Sequence, residues 1–411
     1  MVRVIVEELI RLLESKQGPA VNHRCYFDHN ATTPVLPEVL GALTEALADV
    51  SGNASSAHHF GQVARQRLES ARRQVARLLG SSDPKDVVLT SGGTEADNLA
   101  VLGAVRAAPG PRKHVITSAI EHPAVLGACG RLQREGVEIT RVAVDSSGRV
   151  DPADVRRALR PQTVLISIMH ANNETGVVEP LAEIGRIGRE AGVLVHSDGV
   201  QAAGKIPVDV EALGVDLYSI SGHKFYAPKG IGALYARRGV GIEPLFHGGH
   251  HERGRRPGTE NVPGAVALGC AAARALDDLE AETPRLAALR DRLVRGILER
   301  VPDSGLNGAD APCTPNTANL FFDGLEGESL VIALDLKGFA VSTGAACSSG
   351  AIEPSHVLMA MGLSASRARS SLRVSLGRSN TREDVDALVD AVVAAVQRLR
   401  ALSPTYATIA G

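Results

Sequence analysis

The 411-residue sequence has no tryptophan, and aromatic residues make up only 3% of it, so aliphatic and alanine side chains must fill the interior. Cysteine is scarce as well. Cys25, Cys129, Cys270, Cys313 and Cys347 are odd in number, widely separated and form no C-x-x-C pair. That spacing supports neither a disulfide framework nor a zinc site, and it fits a reducing compartment. Charge of one sign is also missing, with 44 Lys and Arg against 46 Asp and Glu. A near-neutral balance gives no electrostatic reason to expect nucleic acid or a membrane surface as a partner. No uninterrupted apolar run approaches the roughly 20 residues that span a bilayer. Ile5, Leu9, Leu12 and Leu13 stand at helical spacing near the start, but Glu7, Glu8 and Glu14 interrupt them, unlike a signal or transit peptide. These absences predict a soluble cytoplasmic protein whose N-terminal helix docks on the body.

What is present is a 44% hydrophobic chain, enough for one large core or two. Between residues 86 and 237, short β-rich runs alternate with amphipathic helical stretches. The expected strands are 87–90, 114–117, 139–144, 164–168, 193–196, 217–220 and 232–235. Such alternation predicts an α/β fold on a mostly parallel sheet, whose ligands collect beyond the carboxyl ends of the strands. Two helical patterns follow, 263–278 and 284–300, and then a break rich in Pro, Asn, Asp and Gly at 301–315. Beyond it the pattern predicts strands at 319–322 and 372–376 and helices at 329–336 and 382–402. The resulting plan has a segment 1–35 that packs with a small C-terminal domain (281–411), and a large domain (36–280) between them.

The polar residues worth weighing follow the expected strands. In Ser221-Gly222-His223-Lys224 a lysine amine points into the cleft at a sheet edge, where burial can make it a nucleophile. Pyridoxal phosphate is held by such a Schiff-base lysine, although a lone lysine after a strand is commonly a solvated loop residue. Asp198 ends another run and could face a pyridinium nitrogen or simply cap a helix. Ser91-Gly92-Gly93-Thr94-Glu95 lies between a strand and a helix, as a phosphate-binding turn does, and as any tight connection can. His122, after Glu121, could stack on a ring, move protons, or cap a helix. In Asn172-Asn173-Glu174, Asn173 could orient a ligand oxygen or serve only the turn.

Taken together, Gly93-Thr94, Glu121-His122, Asn172-Asn173-Glu174, Asp198 to Gln201 and Ser221 to Lys224 resemble the cysteine desulfurases. These are fold-type I pyridoxal-phosphate enzymes of the class V aminotransferase group. The likeness runs from Asp28-His29-Asn30-Ala31-Thr32-Thr33-Pro34 to Ser375-Leu376-Gly377-Arg378, most of the chain. It implies a large domain with a seven-stranded, mostly parallel sheet and a small α+β C-terminal domain. It also implies that Lys224 holds the cofactor, Asp198 pairs with the ring nitrogen and His122 stacks on the ring. Asn173 and Gln201 would hold the ring substituents, while Gly93, Thr94, Ser221 and His223 would bind the phosphate, and Gly222 would also belong to the cofactor site. The stretch 248–261 is family-like too and implies that Thr259 reaches the phosphate of a neighbouring subunit, hence an obligate homodimer.

The tract Ser342-Thr343-Gly344-Ala345-Ala346-Cys347-Ser348-Ser349-Gly350 is small, polar and Gly-rich, which reads as a mobile loop. A buried, inert cysteine is a poor reading in so polar a setting. With Glu353-Pro354-Ser355-His356 after it, the tract is similar to the long-loop desulfurases that supply sulfur for iron–sulfur clusters. The likeness implies that Cys347 takes sulfur from L-cysteine as a persulfide, releasing L-alanine to leave the sulfur for an acceptor such as a cluster scaffold. No permanent metal is implied, though Cys347 could share a cluster ligand in a scaffold complex. Arg373 matches the arginine that binds the substrate carboxylate, helped by Asn173; its plain alternative is a surface ion pair. The alternatives on the same scaffold are a selenocysteine lyase or an aminotransferase. Gly199 stands where members commonly carry alanine, and Thr343 and Ala345 replace usual serines. The stretch before Tyr26 is longer than in many members and has no assigned role.

Overall fold

A computed structural model describes residues 24–344 and 353–402. The expected N-terminal helix and Cys347 lie outside the described residues. In chain order the strands are β1 (Cys25–Tyr26), β2 (Val87–Thr90), β3 (His114–Ser118), β4 (Glu138–Val142), β5 (Thr163–Ser167), β6 (Leu194–Asp198), β7 (Leu217–Ser221), β8 (Gly232–Ala236), β9 (Ser304–Leu306), β10 (Thr317–Phe322), β11 (Phe339–Ala340) and β12 (Ser371–Ser375). The principal helices are α1 (His59–Leu78), α2 (Gly93–Asn98), α3 (Pro123–Arg134), α4 (Leu181–Ala191), α5 (Val262–Leu298), α6 (Gly327–Asp335) and α7 (Arg382–Leu402).

Within the described residues the large sheet has seven strands in the order β2-β8-β7-β6-β5-β3-β4. The pairs from β7 through β4 are parallel, and only β8 runs against its two neighbours. Successive side chains of a strand point to opposite faces, and the residues here follow that rule. Val87 and Leu89 of β2, Ile116 of β3, Ile166 of β5 and Ile220 of β7 join one core with α1, α4 and the first half of α5. Val88, Val115, Leu165 and Leu217 join a second core on the other face with Leu99, Val125 and Leu132. A sheet covered on both faces favours apolar residues on both sides of a strand, which is why β2, β5 and β8 read as nearly continuous apolar runs.

A separate three-stranded antiparallel sheet, β12-β10-β9, packs with α6, α7 and the second half of α5. Phe27, from the segment after β1, is buried in that core, and β1 pairs in parallel with β11. The two helices expected at 263–278 and 284–300 are in fact the single helix α5, with Pro284 inside it. A proline in a helix interior costs about 3 kcal/mol, which is what made a break the natural expectation. Burial on either side outweighs that cost: Ala265, Leu268 and Ala272 enter one core, and Leu286, Leu293 and Ile297 the other. The break expected at 301–315 also contains β9, which pairs with β10. The strand expected at 139–144 ends at Val142 instead.

Candidate active site

The carboxyl ends of the parallel strands open onto a cavity of about 390 Å³. Asp198 is the last residue of β6 and Ser221 the last of β7, with Lys224 one tight turn further on. Thr94 lies in the first turn of α2 just after β2, His122 precedes α3 after β3, and Asn173 follows β5. Arg373 enters from β12 of the small sheet. All of these line the cavity, as do Gly93, Gln201 and His223. Gly222 sits behind the lining, where an added Cβ would meet Ala227 and Leu268 at 2.9 Å. Thr259 is elsewhere, in a separate cavity of about 220 Å³ beside Arg256 and Gly258. Within one chain, then, the structure brings together every expected cavity residue among those described, apart from Gly222 and Thr259.

The glycines before α2 have a steric reason. Gly92 takes φ 155° and ψ −175°, a conformation essentially closed to other residues. A Cβ on Gly93 would come within 2.9 Å of Val200 and 3.4 Å of Ser221. The turn therefore keeps bare backbone against the cavity.

Lys224 Nζ donates to the carbonyls of Asn30 and Ala31 at 2.6 and 2.8 Å. Burial, helped by Arg373, lowers its pKa to about 8, against the opposing pull of Asp198 and Asp28. An amine so placed is available in its neutral, basic form near physiological pH. His122 Nδ1 accepts from the Ala124 backbone N–H at 3.1 Å, so the capping alternative is realised and the ring proton belongs on Nε2. Burial holds this imidazole below its ordinary pKa, against the pull of Asp198.

Asp198 accepts from the Val200 N–H at 2.9 Å, and burial raises its pKa while His122 and Lys224 oppose the rise. A second carboxyl lies beside it. Ligand atoms of Asp97, His122 and Asp198 lie within 4.8 Å of one another. Burial, and then the charge of Asp198, push Asp97 well above the carboxylate range. Two buried carboxylates this close do not readily share ionisation. Asp97 Oδ1 has no hydrogen-bond partner among the described residues.

Arg373 is 5% exposed. It donates through Nη2 to Asp28 at 2.7 Å and through Nη1 to the Asn173 carbonyl at 3.0 Å, while its Nε is buried without a partner among the described residues. Ser342 exchanges two backbone hydrogen bonds with Arg373, and Ser342 and Gly344 border the cavity. On the far side of the undescribed stretch, Ser355 Oγ donates to Glu174 at 2.5 Å.

Sequence reasoning missed Asp28, Asn30, Asp97 and Lys205. For Asp97 a signal was available, since it stands three residues after Thr94 and so on the same face of α2. Lys205 likewise stands four residues after Gln201, whereas Asp28 and Asn30 depend on contacts between distant parts of the chain.

A lysine, a buried acidic pair and a guanidinium meet in one cleft at the carboxyl ends of a parallel sheet, the arrangement of an α/β enzyme. The chain belongs to the aminotransferase class-V family, whose model matches residues 25–388. That family is one of pyridoxal-phosphate enzymes. Among its relatives, the chain is 50% identical over 384 residues to the cysteine desulfurase IscS of Anaeromyxobacter dehalogenans, covering 93% of this chain and 94% of that one. It is 46% identical over 379 residues to the cysteine desulfurase IscS of Dictyoglomus turgidum, covering 92% and 96%. A solved NifS-like protein superposes with a TM-score of 0.85 at 36% identity, over 92% of this chain and all of that one.

Proposed function

We infer that this chain is a cysteine desulfurase, a pyridoxal-phosphate enzyme that converts L-cysteine to L-alanine and passes the sulfur to an acceptor. The observation that carries this reading is the near half identity to cysteine desulfurases over more than nine-tenths of the chain.

The residues present suit the cofactor. Bare backbone at Gly93 leaves room for a phosphate, and the buried carboxyl groups of Asp97 and Asp198 beside His122 suit a cationic ring nitrogen. Lys224 would hold the cofactor, Asp198 would keep its nitrogen protonated, and His122 would lie against the ring. Gly93, Thr94, Ser221 and His223 would hold its phosphate, completed by Thr259 of a second copy in a homodimer. When bound, the cofactor supplies an electron sink for the carbon that loses its proton.

The chain's own groups do the rest. Arg373 and Asn173 hold the substrate carboxylate. Lys224, with its lowered pKa, takes the α-proton and returns protons to carbon. Cys347, as thiolate, attacks the substrate sulfur: an S–S bond forms, the Cβ–S bond breaks, and its electron pair takes a proton at Cβ. Alanine leaves, and the persulfide on Cys347 moves to an acceptor thiol, such as that of an iron–sulfur scaffold protein. The division into units at 36–280 and 281–411, with 1–35 joined to the latter, belongs to the same proposal. The place of Phe27 in the small core supports it.

The test mixes purified protein with L-cysteine and measures alanine and protein-bound persulfide together. Cys347→Ser should still bind the cofactor and still change its visible spectrum with cysteine, yet release almost no alanine. Normal turnover by that variant would remove Cys347 from the chemistry and leave an aminotransferase-like reaction in its place.

A further inference from the structure

Lys205 is a second lysine at this site, buried at 9% exposure. Among the described residues no carboxylate pairs with it. Its Nζ donates instead to two side-chain carbonyls, Oδ1 of Asn30 at 2.9 Å and Oε1 of Gln201. Gln201 Nε2 donates to the backbone carbonyl of Asn30 at 3.0 Å, the same oxygen that receives Lys224.

The orientation of these amides follows from chemistry. A backbone carbonyl can only accept, so Nε2 of Gln201 must face Asn30, which leaves Oε1 for Lys205. Asn30 is set in the same way. Its Nδ2 donates to the Asn173 carbonyl at 3.2 Å and to Thr317 at 2.8 Å, and its Oδ1 accepts from Lys205 and from Asn316 at 3.0 Å. Gln201 then has one N–H left, and Gln201 lines the cavity.

We propose that Lys205 is a positioning residue: by donating to Gln201 it fixes that amide with its remaining N–H toward the cavity, ready for an anionic oxygen on the cofactor ring. The proposal rests on the pyridoxal-phosphate reading. Burial, with Lys224 and Arg373 nearby, pushes the Lys205 amine well below its ordinary pKa. In either charge state the amine carries at least two N–H groups, enough for its two acceptors. An apolar side chain here would leave the buried Oε1 of Gln201 without its donor, while Oδ1 of Asn30 would keep Asn316.

The experiment adds pyridoxal phosphate to full-length apoprotein and records its dissociation constant and the position of its visible band. Lys205→Met, Gln201→Leu and the double variant are compared with wild type, with thermal unfolding of each apoprotein as a control. Lys205→Met should weaken cofactor binding about tenfold and shift the band, as loss of one buried hydrogen bond does. The double variant should bind no worse than Gln201→Leu alone, because one residue acts through the other. Lys205→Gln keeps a donor without the charge and should recover most of the affinity and the band position. Should Lys205→Met fail to fold, Lys205→Gln against Gln201→Glu carries the test, with the first near wild type and the second impaired. Additive losses, an unshifted band in folded Lys205→Met, or impaired Lys205→Gln beside normal Gln201→Glu would each overturn the role of Lys205 alone. Wild type that takes up no cofactor would overturn the cofactor reading and this inference together.

Discussion

At Arg373 the guanidinium already donates to Asp28 and to the Asn173 carbonyl, and its buried Nε has no partner among the described residues. A substrate carboxylate would thus meet a group held in place before it arrives. Arg373→Ala should weaken cysteine binding on the order of a hundredfold, as loss of a bidentate charge pair does. A spectral titration in the Cys347→Ser background would measure it; unchanged affinity would assign the carboxylate to another residue. Lys224 supports a prediction about pH. Its native pKa of about 8 lies below the roughly 10.4 of an unfolded lysine. Between those values the unfolded chain holds a proton that the native chain has lost, so this residue's contribution to stability rises with pH across that window. Below it, the cost of burying a charged amine is fully present. Cofactor-free Lys224→Met should therefore melt above wild type at pH 7, with the gap narrowing from pH 8 to 10. A gap independent of pH would mean that the amine is not desolvated as the structure has it.

Among the elements, β6 and β7 meet at a point where Gly199 and Tyr218 compete for one volume. Gly199 follows β6 in place of the alanine common in the family. An added Cβ there would fall 2.0 Å from the ring of Tyr218 in β7. Tyr218 is fully buried, and its hydroxyl lies 2.7 Å from His170 Nδ1, so the ring occupies the volume a methyl group would need. Gly199→Ala should destabilise by about 1–3 kcal/mol or more, the usual cost of overpacking. Combined with Tyr218→Leu it should cost clearly less than the sum of the two changes. Urea unfolding of the four proteins gives the coupling directly, and strict additivity would separate the two positions. Other strands of the sheet show why the elements were largely legible: β2, β5 and β8 are buried on both faces and read as mostly apolar runs. Helix α5 was misread at Pro284 because local propensity knows nothing of the two cores that hold the helix together.

On the scale of the whole molecule, the site is assembled from parts that belong to different cores. Lys224 and Asp198 come from the large sheet, Arg373 from the small one, and Asn30 from the segment whose Phe27 is buried in the small core. Thr259 lies outside that cavity, on a stretch anchored from below. Glu252 in the same stretch receives both Nη groups of buried Arg72 at 2.7 Å and the Leu89 N–H at 3.0 Å. If Thr259 serves the neighbouring subunit, a heterodimer of Thr259→Ala with Lys224→Ala has one site that is intact at both positions and one that lacks both. Such a heterodimer should bind cofactor at the intact site with wild-type affinity. Binding no better than the Thr259→Ala homodimer would show that the phosphate contact is not shared.

The sequence by itself determined the class of fold, because β-rich runs and helical patterns follow from which faces of each element are buried. It also placed Lys224, Asp198, His122 and Asn173 just after expected strands, each with a plain alternative until the resemblance joined them. Only the tertiary structure decided that Arg373 leans on Asp28, that Asp97 sits beside Asp198, and that Asn30 joins Lys205, Gln201 and Lys224 in one network. Those contacts join residues as far apart as 28 and 373, and a hydrogen bond requires its two atoms within about 3 Å. No local pattern encodes that closeness. It arises when two cores close around a shared cleft and their buried polar groups must find partners there.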